Sequence, residues 1–379
     1  MINKEILKLR KELHQNPELS GNEINTAKRI KEFILTHNPT KIIENVGGNG
    51  LLAIFEFSKK GPTITIRCEL DALPIVESNT FSHKSLIEGV SHKCGHDGHM
   101  AIVAGLALWL KNQKFKTGKI VLLFQPAEET GKGAFNVLND ERFKNLKSDY
   151  IFALHNIPGE PLHSVITMKK EFSAEVQSLA IYLTGKEAHA SEPENAINPA
   201  LGISTIVTEL SKLNVLEPHK DSFSILTPIH INMGEKSYGI SPSHGELHYT
   251  LRTWNENIMN TVKRNIEDVT NKICKTHNLN YTIDWFEYFP SSKNTADCNT
   301  LVNNAAITNK LTVIERPFPF KFGEDFGWFS KSYNTAMFGL GAGINTPALH
   351  HNNYDFPEEL IETGIKMFTS IIMSVLEDS

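Results

Sequence analysis

The chain has 379 residues, of which 40% are hydrophobic and 21% charged, and its formal net charge is −5. This make-up excludes a disordered or fibrous chain, and the length predicts two domains. The mild acidity gives no reason to expect nucleic acid or an anionic membrane as a partner.

The opening MINKEILKLRKELHQ carries charges every few residues. It therefore has no apolar stretch of the kind a signal peptide needs, and no later run reaches the length of a membrane span. A cytoplasmic protein is expected. The four cysteines, Cys68, Cys94, Cys274 and Cys298, are scattered, and in a reducing compartment they read as free thiols or a metal ligand.

Helices are predicted over about 2–14 and 23–35, the second with Ala27, Ile30 and Ile34 at helical spacing. LLAIFEF and TITIRCE read as strands. A helix follows near Met100, then strand KIVLLFQ, a helix near 134–143 and strand DYIFALH. Strands alternating with helices predict an α/β domain with a mixed, largely parallel sheet.

The middle of the chain has a different rhythm. VQSLAIYLTG is a strand, 198–213 a helix and SILTPIHINM a strand. GELHYTLRTW alternates strictly, with Leu247, Tyr249 and Leu251 on one side and His248, Thr250 and Arg252 on the wet side. A helix over about 256–276 and strand YTIDWF close the segment. The order β-α-β-β-α-β predicts a ferredoxin-like α+β domain inserted into the larger one. The expected boundaries are 1–168 with 285–379 for the discontinuous first domain, and 169–284 for the insert. Beyond the insert, TAMFGLG is a core strand. A last helix starts near Pro357, with Ile361, Ile365, Phe368 and Ile372 as its apolar seam.

Four clusters of reactive side chains fall at or just past the C-terminal ends of predicted strands. They are Cys94-Gly95-His96-Asp97-Gly98-His99, Gln125-Pro126-Ala127-Glu128-Glu129, His155, and His350-His351. Sites in open α/β sheets form outside these strand ends. Each cluster has an ordinary reading when taken alone. His155 could be a core histidine, Cys94 a buried thiol and the glutamates a solvated pair, while His99 is read as a helix-start residue packed under its loop. Together they supply thiolate, imidazole and carboxylate, a set suited to Zn²⁺, Mn²⁺, Co²⁺ or Ni²⁺ rather than Mg²⁺ or Ca²⁺.

Cys94, His96, Glu129, His155 and His350 are five candidate ligands, one more than a closed tetrahedral site needs. The excess points to two divalent ions sharing a bridging ligand. Such a pair, about 3.5–4 Å apart, activates water and polarises a carbonyl. Glu128 is then left as general base and acid. Asp97 is expected to support a ligand rather than to bind metal.

Taken in order, these blocks resemble the M20 metallopeptidases, in particular the amidohydrolase branch with hippurate hydrolases, auxin-conjugate hydrolases and N-acyl-amino-acid deacylases. The likeness runs almost end to end. It begins with Leu9-Arg10-Lys11-Glu12-Leu13-His14 and Asn16-Pro17-Glu18-Leu19-Ser20, and continues through Asp71-Ala72-Leu73-Pro74 and the clusters above. Gly185-Lys186, His189-Ala190-Ser191, Thr250-Leu251-Arg252-Thr253, Glu324-Asp325-Phe326 and Leu349-His350 complete it.

The resemblance implies two divalent metals on the same five ligands, with Glu128 catalytic. It implies that the insert is a lid that also mediates a homodimer. It further implies that His189 stabilises the oxyanion, that Arg252 holds the substrate or orders the lid, and that Asp71 orients a ligand. On residue type alone, His189 could be a turn residue and Arg252 a solvated charge. The sequence departs from the family's pattern at Glu69 (commonly Asp), Glu187-Ala188 (commonly two glycines), Glu194 (often His), Gly239 (often Asn) and Ser241-Pro242. All but the first lie in the lid.

The expected reaction is hydrolysis of the amide bond of an N-acyl amino acid or a related small conjugate. A dipeptidase or aminopeptidase using the same metals is the near alternative. A two-domain binding protein with a structural metal is the distant one.

Overall fold

The computed structural model describes residues 3–377. They divide into two compact units. One holds the chain up to Phe172, Ser292–Pro317 and Glu324 onward, and the other holds Ser173–Ser291 with Phe318–Gly323.

The first unit is built on strands β1 (Lys41–Val46), β2 (Gly50–Glu56), β3 (Lys59–Glu69), β4 (Thr117–Gln125), β5 (Tyr150–Ile157), β6 (Val165–Thr167), β13 (Val313–Glu315) and β14 (Asn334–Gly341). Their order across the sheet is β1-β2-β4-β3-β5-β14-β6-β13. The central neighbours β4-β3, β3-β5 and β5-β14 are parallel, whereas β1-β2 and β2-β4 are antiparallel. The central strands are covered on both faces and so read as unbroken apolar runs.

Helices α1 (Lys4–Gln15), α2 (Ile24–Leu35), α3 (His96–Leu110), α8 (Ala296–Thr308) and α10 (Glu359–Glu377) share a core with alternate sheet residues such as Ile64, Ile66, Leu122 and Phe338. The mixed, largely parallel layering expected from the sequence is the observed one. No described helix is long and apolar enough to cross a membrane.

Several local details differ from the sequence reading. The first helix runs from Lys4 because the Asn3 carboxamide oxygen accepts from the Glu5 N–H at 2.8 Å. Residue 2, where the expected helix began, lies outside the described residues. The helix expected over 134–143 is two helices, α4 (Gly133–Asn139) and α5 (Glu141–Lys144). Asp140 turns extended between them, and its carboxylate accepts from the Arg142 N–H at 2.9 Å. The edge strand β1 is largely exposed and the three-residue β6 and β13 are short, so none has a clear apolar period. A short helix α9 (Gly327–Ser330) precedes β14.

The second unit contains β7 (Glu175–Thr184), β9 (Ser224–Met233), β11 (His244–Thr253) and β12 (Asn280–Phe289), with helices α6 (Ala200–Ser211) and α7 (Glu256–Thr276). Its antiparallel order, β12-β7-β11-β9, is ferredoxin-like. Leu179, Ile181, Leu247, Leu251, Ile206 and Ile266 form its core. On β11, Leu247, Tyr249 and Leu251 are buried while His248, Thr250 and Arg252 stay partly exposed. A small ribbon pairs β8 (Ala188–His189) with β10 (Ile240–Ser241).

Residues 318–323, placed with the first domain in the sequence reading, lie with this second unit. Phe318 packs on Val176, Phe223 and Trp254, and the Ala174 N–H donates to the Phe320 carbonyl at 2.8 Å. β12 continues past residue 285 to Phe289, which carries the unit's end to Ser291.

Candidate metal centre

Because β4, β3, β5 and β14 run parallel side by side, their C-terminal ends reach one edge of the first unit. β3 leads into Asp71, β4 into Glu128 and Glu129, and β5 carries His155 near its end. The loop after β14 carries His350, and α3 begins at His96.

Left-handed backbone aims these groups, at Gly95, Ala127 and His350 itself. Gly95 has φ of 99°, and a Cβ there would lie 2.6 Å from the Asn156 side-chain oxygen, so a side chain is excluded. Ala127 has φ of 53°. Its N–H donates to Glu23 Oε1 at 2.8 Å, which holds the strained turn that presents the two glutamates.

The structure brings all five candidate ligands and Glu128 together. The donor atoms of Cys94, His96 and His155 lie within 4.8 Å of one another, as do those of Cys94, Glu129 and His350. Cys94 thus belongs to both groups, the position a bridging ligand would take. Cys94 Sγ is 3.5 Å from His155 Nε2, and His350 Nε2 is 3.8 Å from Glu129 Oε1. His96 Nε2 is 4.0 Å from Glu129 Oε1 and 3.9 Å from Glu128 Oε2.

Hydrogen bonds set the tautomers. His96 Nδ1 donates to the Asp71 carbonyl at 2.8 Å, and His155 Nδ1 donates to the Asn156 carbonyl at 2.9 Å. With Nδ1 donating, His155 turns an unprotonated Nε2 toward the Cys94 thiol, and His96 turns its own toward Glu128 and Glu129. Asp71 also fixes Glu129, because Asp71 Oδ2 accepts from the Glu129 N–H at 2.9 Å and from Ser20 Oγ at 2.7 Å.

His96 Nε2 and Glu129 Oε1 are shielded from solvent, and neither has a hydrogen-bond partner among the described residues. Leaving such atoms unpaired costs about 1–3 kcal/mol each. A divalent cation between an imidazole nitrogen, a thiolate and a carboxylate answers that cost, so the donor set fits transition-metal ions.

The electrostatics agree with this fit. Burial, reinforced by Glu324 and Glu129, pushes the Glu128 carboxyl well above its ordinary range. Burial also raises Glu129 to about 7, with His96 opposing and Asp71 adding to the rise. It raises the Cys94 thiol, helped by the charges of Glu129 and Glu128. Burial holds the His155 ring neutral, down to about 3. His96 moves the other way. Burial opposes protonation there, but Glu69, Glu129 and Asp71 outweigh it. The surplus of buried acid is a well for positive charge.

Beneath the site lies a network that the sequence reading missed. The fully buried Arg67 donates to Gln125 Oε1 and Glu324 Oε1 at 2.9 Å and to Asp325 Oδ1 at 2.6 Å, and it pairs with Glu69. His99 joins Glu69 Oε2 at 2.7 Å to Asn156 Oδ1 at 2.5 Å. Two opposite charges, Arg67 and Glu69, inside the otherwise uncharged TITIRCE run were the available signal.

Asp97, His189 and Arg252 are the remaining candidates. The Asp97 carboxylate turns to α1, with Oδ2 2.8 Å from both Arg10 Nε and His14 Nδ1. It is thus held by α1 rather than by one of the five candidate ligands. His189 and Arg252 belong to the second unit. His189 is exposed in the β8–β10 ribbon, and its Nδ1 accepts from the Ser191 N–H at 3.1 Å and lies 2.7 Å from Ser191 Oγ. Arg252 Nη1 donates to the Lys321 carbonyl at 2.8 Å.

A family model described as peptidase family M20/M25/M40 matches residues 65–374. The chain is 34% identical over 329 residues to an N-acetyl-L-cysteine deacetylase of Bacillus subtilis, a match covering 86% of this chain and 78% of that one. A second B. subtilis protein, N-acetylcysteine deacetylase, is 27% identical over 98% of this chain and 97% of its own. Among solved structures, a dinuclear metal-binding peptidase of the M20 family from B. subtilis superposes with a TM-score of 0.84. It is 25% identical, and 98% of each chain is covered.

Proposed function

The chain belongs to peptidase family M20/M25/M40, and from that premise we propose that Cys94, His96, Glu129, His155 and His350 hold its two metals while Glu128 carries the proton. The protein is a metal-dependent amide hydrolase that uses two divalent ions. The bond it cleaves is that of a small N-acyl amino acid, a reading supported by the relative named as an N-acetyl-L-cysteine deacetylase. The observation that carries the residue assignment is the pair of unpartnered buried acceptors, His96 Nε2 and Glu129 Oε1, beside a thiol shared by two three-donor groups.

The ions, zinc, manganese, nickel or cobalt by the donor set, supply an activated water and a polarised carbonyl. Asp71 holds His96 and Glu129 in place from behind. Glu128 takes the water's proton on a carboxylate oxygen and passes it to the departing nitrogen. The Ser191 N–H donates to His189 Nδ1, which leaves Nε2 as the ring's N–H donor. That N–H is a donor for the oxyanion that forms at the attacked carbonyl. Arg252 supplies a guanidinium for the carboxylate of the amino acid.

The second unit serves as lid and dimerisation domain. Support for a homodimer comes from its outer strand β9, where Ile229, Ile231 and Met233 are exposed. Four buried free thiols suit a cytoplasmic setting.

The test is a hydrolysis screen of N-acetyl, N-benzoyl and longer acyl amino acids beside dipeptides, after chelation and with each metal restored. Acyl amino acids should be the better substrates and chelated protein inactive. Faster cleavage of dipeptides would overturn the substrate assignment, and full activity after chelation would overturn the metal assignment.

A further inference from the structure

The opening motif ending in His14 has no role in the chemistry above, yet its side chains are among the most deeply buried polar groups of the first unit. Arg10, His14, Lys93 and Asp97 are fully buried and Glu77 nearly so. They form one continuous chain of contacts. Lys93 Nζ pairs with Glu77 Oε1, which is 3.1 Å from His14 Nε2. On the other side of the ring, His14 Nδ1 is 2.8 Å from Asp97 Oδ2, which also lies 2.8 Å from Arg10 Nε.

Lys93 and Asp97 flank the segment Cys94-Gly95-His96. Gly95, at its centre, has φ of 99°. A glycine in that conformation fixes neither neighbour by itself. The segment needs its two ends pinned if thiol and imidazole are to stay at a set separation.

The same residue reaches a second ligand loop. The Lys93 carbonyl accepts from the His350 N–H at 2.8 Å, and Lys93 Nζ donates to the Tyr354 carbonyl at 2.7 Å. One fully buried lysine thus holds the Cys94–His96 segment and the His350 loop together.

We propose that His14 is a positioning residue for the metal centre, closing a clamp Lys93–Glu77–His14–Asp97 that holds the ligands Cys94, His96 and His350 at binding distance. The proposal rests on the ligand assignment made above. Both ring nitrogens of His14 face carboxylate oxygens, which only accept, so both must donate and the ring is an imidazolium. A doubly donating cation of this size has no equivalent among the other side chains. Burial works against that charge, but Asp97 and Glu77 outweigh it and hold the ring above its ordinary range. Glu77 answers in kind. Burial opposes its charge, but the bonds from His14 and Lys93 bring it down to about 2.

Outer residues that orient metal ligands typically change affinity by about 10–100-fold when replaced. His14→Gln keeps one donor nitrogen, puts an acceptor oxygen where the second was, and loses the bridge. It should weaken Mn²⁺ and Zn²⁺ binding about ten-fold, measured as ion retained per chain in equilibrium dialysis. At saturating Mn²⁺, kcat should return to within about three-fold of wild type, with KM for the acyl amino acid unchanged. Leu9→Ala, which removes buried apolar volume from the same helix, is the control for a merely structural effect. It should lower Tm while leaving metal affinity at the wild-type value.

If His14→Gln does not fold, Glu77→Gln breaks the adjacent link and should show the same loss. Metal affinity unchanged in whichever of the two variants folds would overturn the clamp, and so would an equal loss in Leu9→Ala. Cys94→Ala separates this failure from failure of the ligand assignment. If Cys94→Ala loses metal and His14→Gln does not, the ligands stand and the clamp falls.

Discussion

Replacing Glu128 with glutamine changes one oxygen for an amide nitrogen and leaves shape and volume almost intact. Glu128 is 5% exposed and its donor oxygen shares a 4.8 Å cluster with those of Glu324 and Asp325, so the amide occupies the same place with one negative charge fewer. Burial and the Coulomb repulsion of Glu324 and Glu129 already work against that charge, so metal-free Glu128→Gln should melt no lower than wild type. The amide cannot take up the water's proton. General acid and base catalysis is typically worth about 10²–10⁴-fold, which corresponds to about 3–5.5 kcal/mol of barrier. Steady-state kcat on an N-acetyl amino acid, with ion content measured on the same sample, should fall by that factor while both ions are retained. A kcat within about three-fold of wild type would refute the proton-carrier role. A parallel loss of metal would make Glu128 a ligand instead.

Cys94→Ala should reduce bound metal below two ions per chain by elemental analysis, and unchanged content would remove the thiol from the ligand set. His189→Ala should lower kcat by about 10²-fold or more, as loss of an oxyanion donor does, with metal content unchanged. Equal losses of both would make His189 structural. His92 is buried with both ring nitrogens unpaired among the described residues, and burial drives its pKa to about 3. The unfolded chain takes up a proton there below about pH 6.5 that the folded chain refuses, so stability falls as pH falls through that window. Between pH 7 and pH 5 the loss is about 2 kcal/mol. In His92→Leu, Tm relative to wild type should therefore rise on going from pH 7 to pH 5, and a pH-independent difference would contradict this.

The layering of the first unit was legible because its central strands are apolar runs, α1 and α10 carry an apolar stripe and α3 is apolar nearly all round. The ferredoxin-like order of the second was legible because β11 alternates residue by residue. Strand β1 was missed because it is an exposed edge without that alternation, and 318–323 was misplaced because its partners, Phe223 and Trp254, are remote in sequence. The candidate metal centre could be read as residue types at strand ends. Of its support, Asp71 was legible through the family resemblance, and the rest was not. Arg67, Glu69, Glu324 and Asp325 converge only through sheet pairing and a contact spanning more than two hundred residues, and Asp97 turns to α1 rather than to a neighbouring ligand.

The most direct measurement is a crystal structure of the Mn²⁺-loaded protein with anomalous scattering collected at the manganese edge. Two peaks about 3.5–4 Å apart are expected, with Cys94 Sγ between them, His96 and His155 on one side, and Glu129 and His350 on the other. A single peak, or peaks away from these side chains, would contradict the assignment.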